Sequence, residues 1–135
     1  MLRIVALLMS LSFFAGCATP NSKGDQLTAT LESYAATIRW GNVEDALAFV
    51  DPDVLKEHPL TELDLQRYQQ VRISGYNAQP SRPLGEHEVS QVVEIVVTNN
   101  NTQSVRSVID RQRWRYDDKK KRWWLTSGLP DITQH

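Results

Sequence analysis

One thiol, three imidazoles and one buried-face carboxylate are the residues of this chain with the means to do chemistry. Cys17 is the only cysteine among 135 residues, so no internal disulfide can form and its sulfur needs another use. His58, His87 and His135 are scattered, and neither they nor the acids form the clusters that metal ligation requires, so no metal and no cofactor is expected. No HExxH, CxxC or phosphate-binding glycine loop occurs, and no G-x-S-x-G elbow offers a serine nucleophile. His87 leads a strand and reads as a packing or surface residue. Asp110 is different: with Gln91 and Gln112 it interrupts an otherwise apolar row. A carboxylate in such a row is costly unless paired or hydrogen-bonded, and a raised pKa in a deep, open pocket would favour an enzyme. Two uses compete for it: a satisfied structural group, or a pocket group that meets a ligand. No residue is assigned a catalytic role, and an enzyme is the less favoured outcome.

Cys17 gains its meaning from what precedes it. Arg3 supplies a positive charge, Ile4 to Phe14 is apolar but for Ser10 and Ser12, and the small residues Ala15 and Gly16 follow. A charged start, a short apolar stretch and a small-residue exit describe a secretory signal. The stretch falls short of the roughly 20 apolar residues of a spanning helix. Phe14-Ala15-Gly16-Cys17 resembles the lipobox of bacterial lipoproteins, with phenylalanine where leucine is more usual. The resemblance implies cleavage after residue 16 and lipid attachment at Cys17, with several acyl chains (palmitate among them) holding the chain on a membrane. Ala18 stands where an aspartate would favour inner-membrane retention, which implies the outer membrane, with the domain facing the periplasm. Residues 17–24 form the lipidated cysteine and a polar tether, residues 25–130 the domain, and residues 131–135 a C-terminal tail.

Without residues 1–16 the chain loses only Arg3 among its charges, leaving 14 basic and 16 acidic residues. That balance argues against a nucleic-acid partner. About 110 residues suffice for one domain with one core.

The elements that must position Asp110 follow from periodicity. Leu27, Leu31, Tyr34, Ala35 and Ile38 fall on one face of a helix starting near Asp25, with Gly41 placed to end it in a left-handed cap. Asn42 suits the N-cap of a second helix, and Asp51-Pro52 opens a short third that Pro59 ends. A further turn begins at Thr61. Beyond Gln70 the period changes to two. Val71 and Ile73 give a weak strand, then come Val89 to Val97, Val108 to Tyr116, and Trp123 to Leu125. Asn99 to Asn101 and Asp117 to Lys121 are the turns. Helices followed by four antiparallel strands make an α+β domain. Centring the first turn between Asn100 and Asn101 pairs Val93 with Val108, Gln91 with Asp110, Val89 with Gln112 and His87 with Trp114. On the other face it pairs Glu88 with Arg113 and Glu86 with Arg115. Arg111, Arg113 and Arg115 then form an outer solvated row. Trp40, Trp114, Trp123 and Trp124 are expected in core and sheet packing, with Val92, Val96, Ile109 and Trp124 forming a candidate outer apolar patch.

A helix ending Arg39-Trp40-Gly41-Asn42, a second running into Phe49-Val50-Asp51-Pro52, and terminal hairpins ending Trp123-Trp124-Leu125 resemble the SnoaL-like superfamily, also called ketosteroid-isomerase-like or nuclear-transport-factor-like. The resemblance covers residues 25–130. It implies N-terminal helices packed in the concave face of a curved four-stranded antiparallel sheet, a cone with a pocket at its wide end. Tyr34, Gln91, Asp110, Gln112 and Trp114 are the residues that would line it. Members include enzymes, ligand binders and dimerising scaffolds, so the fold alone assigns no activity. The combined expectation is an envelope lipoprotein whose domain binds a protein or ligand without catalysis, its partners being the membrane through Cys17 and an envelope protein or a second copy. A small apolar-ligand binder using the cone, and an isomerase, dehydratase or hydrolase using Asp110, are the alternatives.

Overall fold

A computed structural model describes residues 22–134; the signal segment, Cys17, the first part of the tether and His135 lie outside the described residues. Helix α1 spans Lys23–Trp40, beginning two residues before Asp25 because the Ser22 hydroxyl accepts from the Asp25 N–H at 3.0 Å. Asp25 in its first turn and Arg39 in its last complement the helix dipole. Gly41 is not left-handed: its φ of −96° and ψ of −164° are extended. Glycine serves space here, since a Cβ would lie 2.8 Å from the Thr37 carbonyl oxygen to which its N–H donates.

Three short helices follow. Asn42 precedes α2 (Val43–Ala46), which runs into a 3-10 turn, Leu47–Phe49. Asp51 caps α3 (Pro52–Glu57), accepting from the Asp53 N–H at 2.9 Å, with Pro52 at the first position. The turn expected at Thr61 extends to a helix of eight residues, α4 (Glu62–Gln69), because Thr61 and Asp64 cap each other's backbone N–H groups, both at 3.1 Å.

Strands β1 (Val71–Ala78), β2 (Arg82–Pro83), β3 (Glu88–Asn99), β4 (Val105–Asp117) and β5 (Arg122–Leu125) form one antiparallel sheet in the order β1-β3-β4-β5, with the two-residue β2 also on β3. The four long strands curl into a half-barrel beside the helices, an α+β architecture. In β1 the register shifts between Ile73 and Gly75, and Gly75 sits against Val96, whose Cγ2 lies 2.8 Å from where a Cβ would stand.

The β3–β4 register differs from expectation by two residues. Val93 faces Asp110, Ile95 faces Val108, Gln91 faces Gln112 and Val89 faces Trp114. The cause is the turn: Asn99 and Ser104 close a four-residue loop, with the Asn99 side chain accepting from the N–H groups of Asn101 and Thr102 and Gln103 at φ 60°. An even slip leaves every side chain on its expected face. The polar partners do change. Glu88 stands opposite Arg115 yet reaches Arg113 diagonally, at 3.3 Å. Arg115 pairs not with Glu86 but with Asp51, at 2.7 Å, and so ties β4 to the start of α3.

Two apolar clusters fill the molecule. One joins the helices to β4 and β5 through Tyr34, Ala46, Val50, Trp114, Tyr116, Trp123 and Leu125. The other, Val93, Ile95, Val97 and Val108, is closed by Ile132, which is 5% exposed. Residues 131–134 are thus no free tail. Arg106 donates to the carbonyls of Ile132 and Gln134, and the Tyr68 hydroxyl donates to that of Pro130.

Candidate functional site

Alternation along β4 turns Val108, Asp110, Gln112, Trp114 and Tyr116 inward. Asp110 is 8% exposed and Gln112 1%. The Gln112 carboxamide is fully engaged: its Nε2 donates to the Asp110 carboxylate and to the Tyr76 hydroxyl, both at 2.9 Å, and its Oε1 accepts from Trp114 Nε1 at 3.1 Å. Helix α1 contributes Tyr34, wholly buried, edge-on to Trp114 with ring centres 5.1 Å apart and to Phe49 at 5.4 Å. Its hydroxyl has no hydrogen-bond partner among the described residues.

The electrostatics follow from burial. Desolvation raises the Asp110 pKa to about 6 against the opposing hydrogen bond from Gln112. Burial, helped by the negative charge of Asp110, raises Tyr34 and Tyr68 well above the ordinary tyrosine range. Tyr76 is raised by burial to about 12, with Asp110 adding to the shift and Gln112 opposing it. Near neutral pH the cluster therefore holds a carboxylate among protonated phenols.

Two concavities border the region, of about 330 and 520 Å³. The smaller lies among α3, α4 and residues 127–133, and the larger between the C-terminal end of α1 and the α4–β1 junction. Tyr68, Pro130 and Ile132 line both, while Tyr34, Gln91, Asp110, Gln112 and Trp114 line neither. Four of the five expected pocket residues, Tyr34, Asp110, Gln112 and Trp114, are brought together, but as a packed cluster and not as the wall of an open cone. Gln91 stands apart, because its Nε2 donates to the Gln79 carbonyl at 2.9 Å where the chain leaves β1.

The other candidates are dispersed. His58 borders the smaller concavity, and His87 Nε2 lies 3.0 Å from Lys23 Nζ and 2.9 Å from an Asp118 oxygen. Among the described residues no group of three potential metal ligands occurs, and no helix is long and apolar enough to cross a membrane. Trp40 is not in the core but 79% exposed, with the Arg39 guanidinium 4.8 Å from its ring centre. Trp124, expected in an outer apolar patch, is 8% exposed, covered by the Arg122 guanidinium at 3.5 Å. Sequence reasoning missed Tyr76, whose hydroxyl accepts from Gln112, and Tyr68 and Ile132, which line both concavities beside the cluster.

No family model, curated protein or solved structure matches this chain.

Proposed function

We propose that the chain is an envelope lipoprotein, held at the outer membrane through a lipid on Cys17. Its SnoaL-like domain acts by binding or assembly and not by catalysis. One observation carries the non-catalytic part: the inward row that would serve a substrate is occupied by the protein itself. Tyr34 and Trp114 pack on one another, Gln112 spends its hydrogen-bonding capacity on Asp110, Tyr76 and Trp114, and Ile132 is buried with Val93, Ile95, Val97 and Val108. The helices-then-sheet architecture supports the SnoaL-like reading, and the segment ending at Cys17 supports the anchor.

Cells expressing the wild type, Cys17→Ser or Asp110→Asn, fed labelled palmitate and fractionated into inner and outer membranes, test both parts. The wild type and Asp110→Asn should carry label to the outer membrane and cross-link to the same neighbours, and Cys17→Ser should carry none. Loss of those neighbours in a well-folded Asp110→Asn protein would refute binding by the surface.

A second reading, a carrier of a small apolar ligand, rests on the 520 Å³ concavity. That volume suits a small-molecule site. Ile38, Val43, Val71 and Ile73 supply apolar wall, and Arg39 beside them keeps a buried Nε without a partner among the described residues. Under this reading Ile73→Trp fills the site and abolishes uptake of a fluorescent fatty acid.

A further inference from the structure

The first turn of α1 and the β4–β5 turn are fastened together. The Lys23 carbonyl accepts from Trp123 Nε1 at 3.0 Å, its ammonium stands 3.8 Å from Asp118 Oδ1, and the same ammonium lies 5.0 Å from the centre of the Tyr116 ring. The turn Asp117–Lys121 therefore sits at the end of the domain from which the N-terminal segment leaves.

The turn's acids are already committed. Asp117 accepts from the N–H groups of Lys119 and Lys120 and from Trp124 Nε1, and Asp118 faces Lys23 and His87. Arg122 is held as well, donating to the Ala48 carbonyl and stacking on Trp124. Lys119, Lys120 and Lys121 remain exposed and form no ion pair among the described residues. Three ammonium groups without an acidic partner among the described residues, that of Lys120 lying 5.5 Å from the centre of the Trp124 ring, stand at one end of a domain whose chain beyond residue 16 is net acidic.

We propose that the β4–β5 turn docks on the anionic phospholipid head groups of the membrane that holds the chain, so that the domain stands with this end down. The proposal rests on the lipid anchor at Cys17. Five residue-to-residue steps lead from Cys17 to Ser22, so the covalent link reaches about 18 Å at most. That is about twice the distance over which charges are screened at physiological salt. An anchor so short brings the lysine turn to the surface, and each ammonium there strengthens attachment about fivefold. The net acidic remainder is repelled by the same surface, which favours one orientation.

The test supplies the anchor chemically, so it stands apart from whether cells lipidate Cys17. The chain from Cys17 onward is coupled through its single thiol to a maleimide lipid, in vesicles of phosphatidylcholine alone or mixed with phosphatidylglycerol. Lysines are then acetylated with a membrane-impermeant reagent and read peptide by peptide. On the anionic vesicles, Lys119, Lys120 and Lys121 should react several-fold more slowly than on neutral ones, with Lys56 of α3 unchanged. Molar salt should abolish the difference. Equal reactivity of the turn lysines on both vesicles overturns the proposal, and so does equal protection of Lys56, which marks unoriented adsorption. Absence of palmitate on Cys17 in cells would instead defeat the anchor while leaving the docking result to stand.

Discussion

Asp110→Asn should make the protein more stable, and the gain should depend on pH in a way the buried cluster dictates. The folded-state pKa of about 6 lies above the ordinary 3.8 because burial penalises the charged form. At about 1.4 kcal/mol per unit, that displacement corresponds to roughly 3 kcal/mol. The sign follows from which state holds the proton. Between about pH 4 and pH 6 the folded chain keeps a proton that the unfolded chain has released. Stability from this group is therefore greatest below pH 4, falls as pH rises through 6, and is flat beyond. Asparagine preserves the shape and an acceptor for Gln112 Nε2 but carries no charge. Urea unfolding of the wild type and variant from pH 4 to pH 8 gives the difference in stability, in which all other titrations cancel. That difference should grow in favour of asparagine by about 3 kcal/mol and level off above about pH 7. A difference independent of pH would mean the carboxylate is solvated, and the account of the cluster would fail. Asp110→Ala adds a second reading: it strands Gln112 Nε2 and should fall about 1–3 kcal/mol below asparagine at every pH.

Cys17→Ser should release the domain from membranes or leave an uncleaved precursor, and mass spectrometry showing an unmodified Cys17 in the wild type would contradict the anchor. Glu88→Lys should cost at most about 1 kcal/mol, because its pair with Arg113 is solvent-exposed. Val93→Asp, at a wholly buried position, should cost several times more in the same chemical melts, and equal effects would mean the sheet faces are wrongly assigned. Gly75→Ala should lose about 1–3 kcal/mol by driving a Cβ against Val96, and Val96→Ala should recover part of that loss in a double-mutant cycle. Asp51→Ala removes both the cap of α3 and the partner of Arg115, so a loss of about 1–2 kcal/mol is expected in calorimetry, larger than from Asp53→Ala.

The helices and the sheet were legible because their signals are local. One apolar face at helical spacing placed α1, and strict alternation from Val89 to Tyr116 placed β3 and β4 with their faces. The register was less legible, since the Asn99 side chain organises a four-residue loop that alternation cannot distinguish from a two-residue one. Strand β1 looked short because Gly75 and Asn77 break its pattern, although its pairing with β3 carries it to Ala78. Within the site, Asp110 and Gln112 announced themselves as polar residues on an apolar row. Tyr76 meets Gln112 across 36 positions of sequence, and no periodicity encodes such a contact. Gln91 misled because facing Gln112 in the ladder does not fix where a long side chain turns. Ile132 is one apolar residue after a proline, too little pattern to mark the piece that closes the core.

That closure has a kinetic consequence. A chain emerges from the ribosome N-terminus first, and here the contacts that complete the core come last: Ile132 over Val93 and Val108, Tyr68 on Pro130, and Trp123 on Lys23 across 100 positions. Loop closure over such separations slows folding and delays it until the distant partner exists. A nascent chain stopped short of residue 132 would leave Val93, Ile95, Val97 and Val108 without their last buried apolar neighbour. Under the export route proposed for this chain, that delay is useful, because a polypeptide whose core waits for residue 132 stays threadable until that residue has been made.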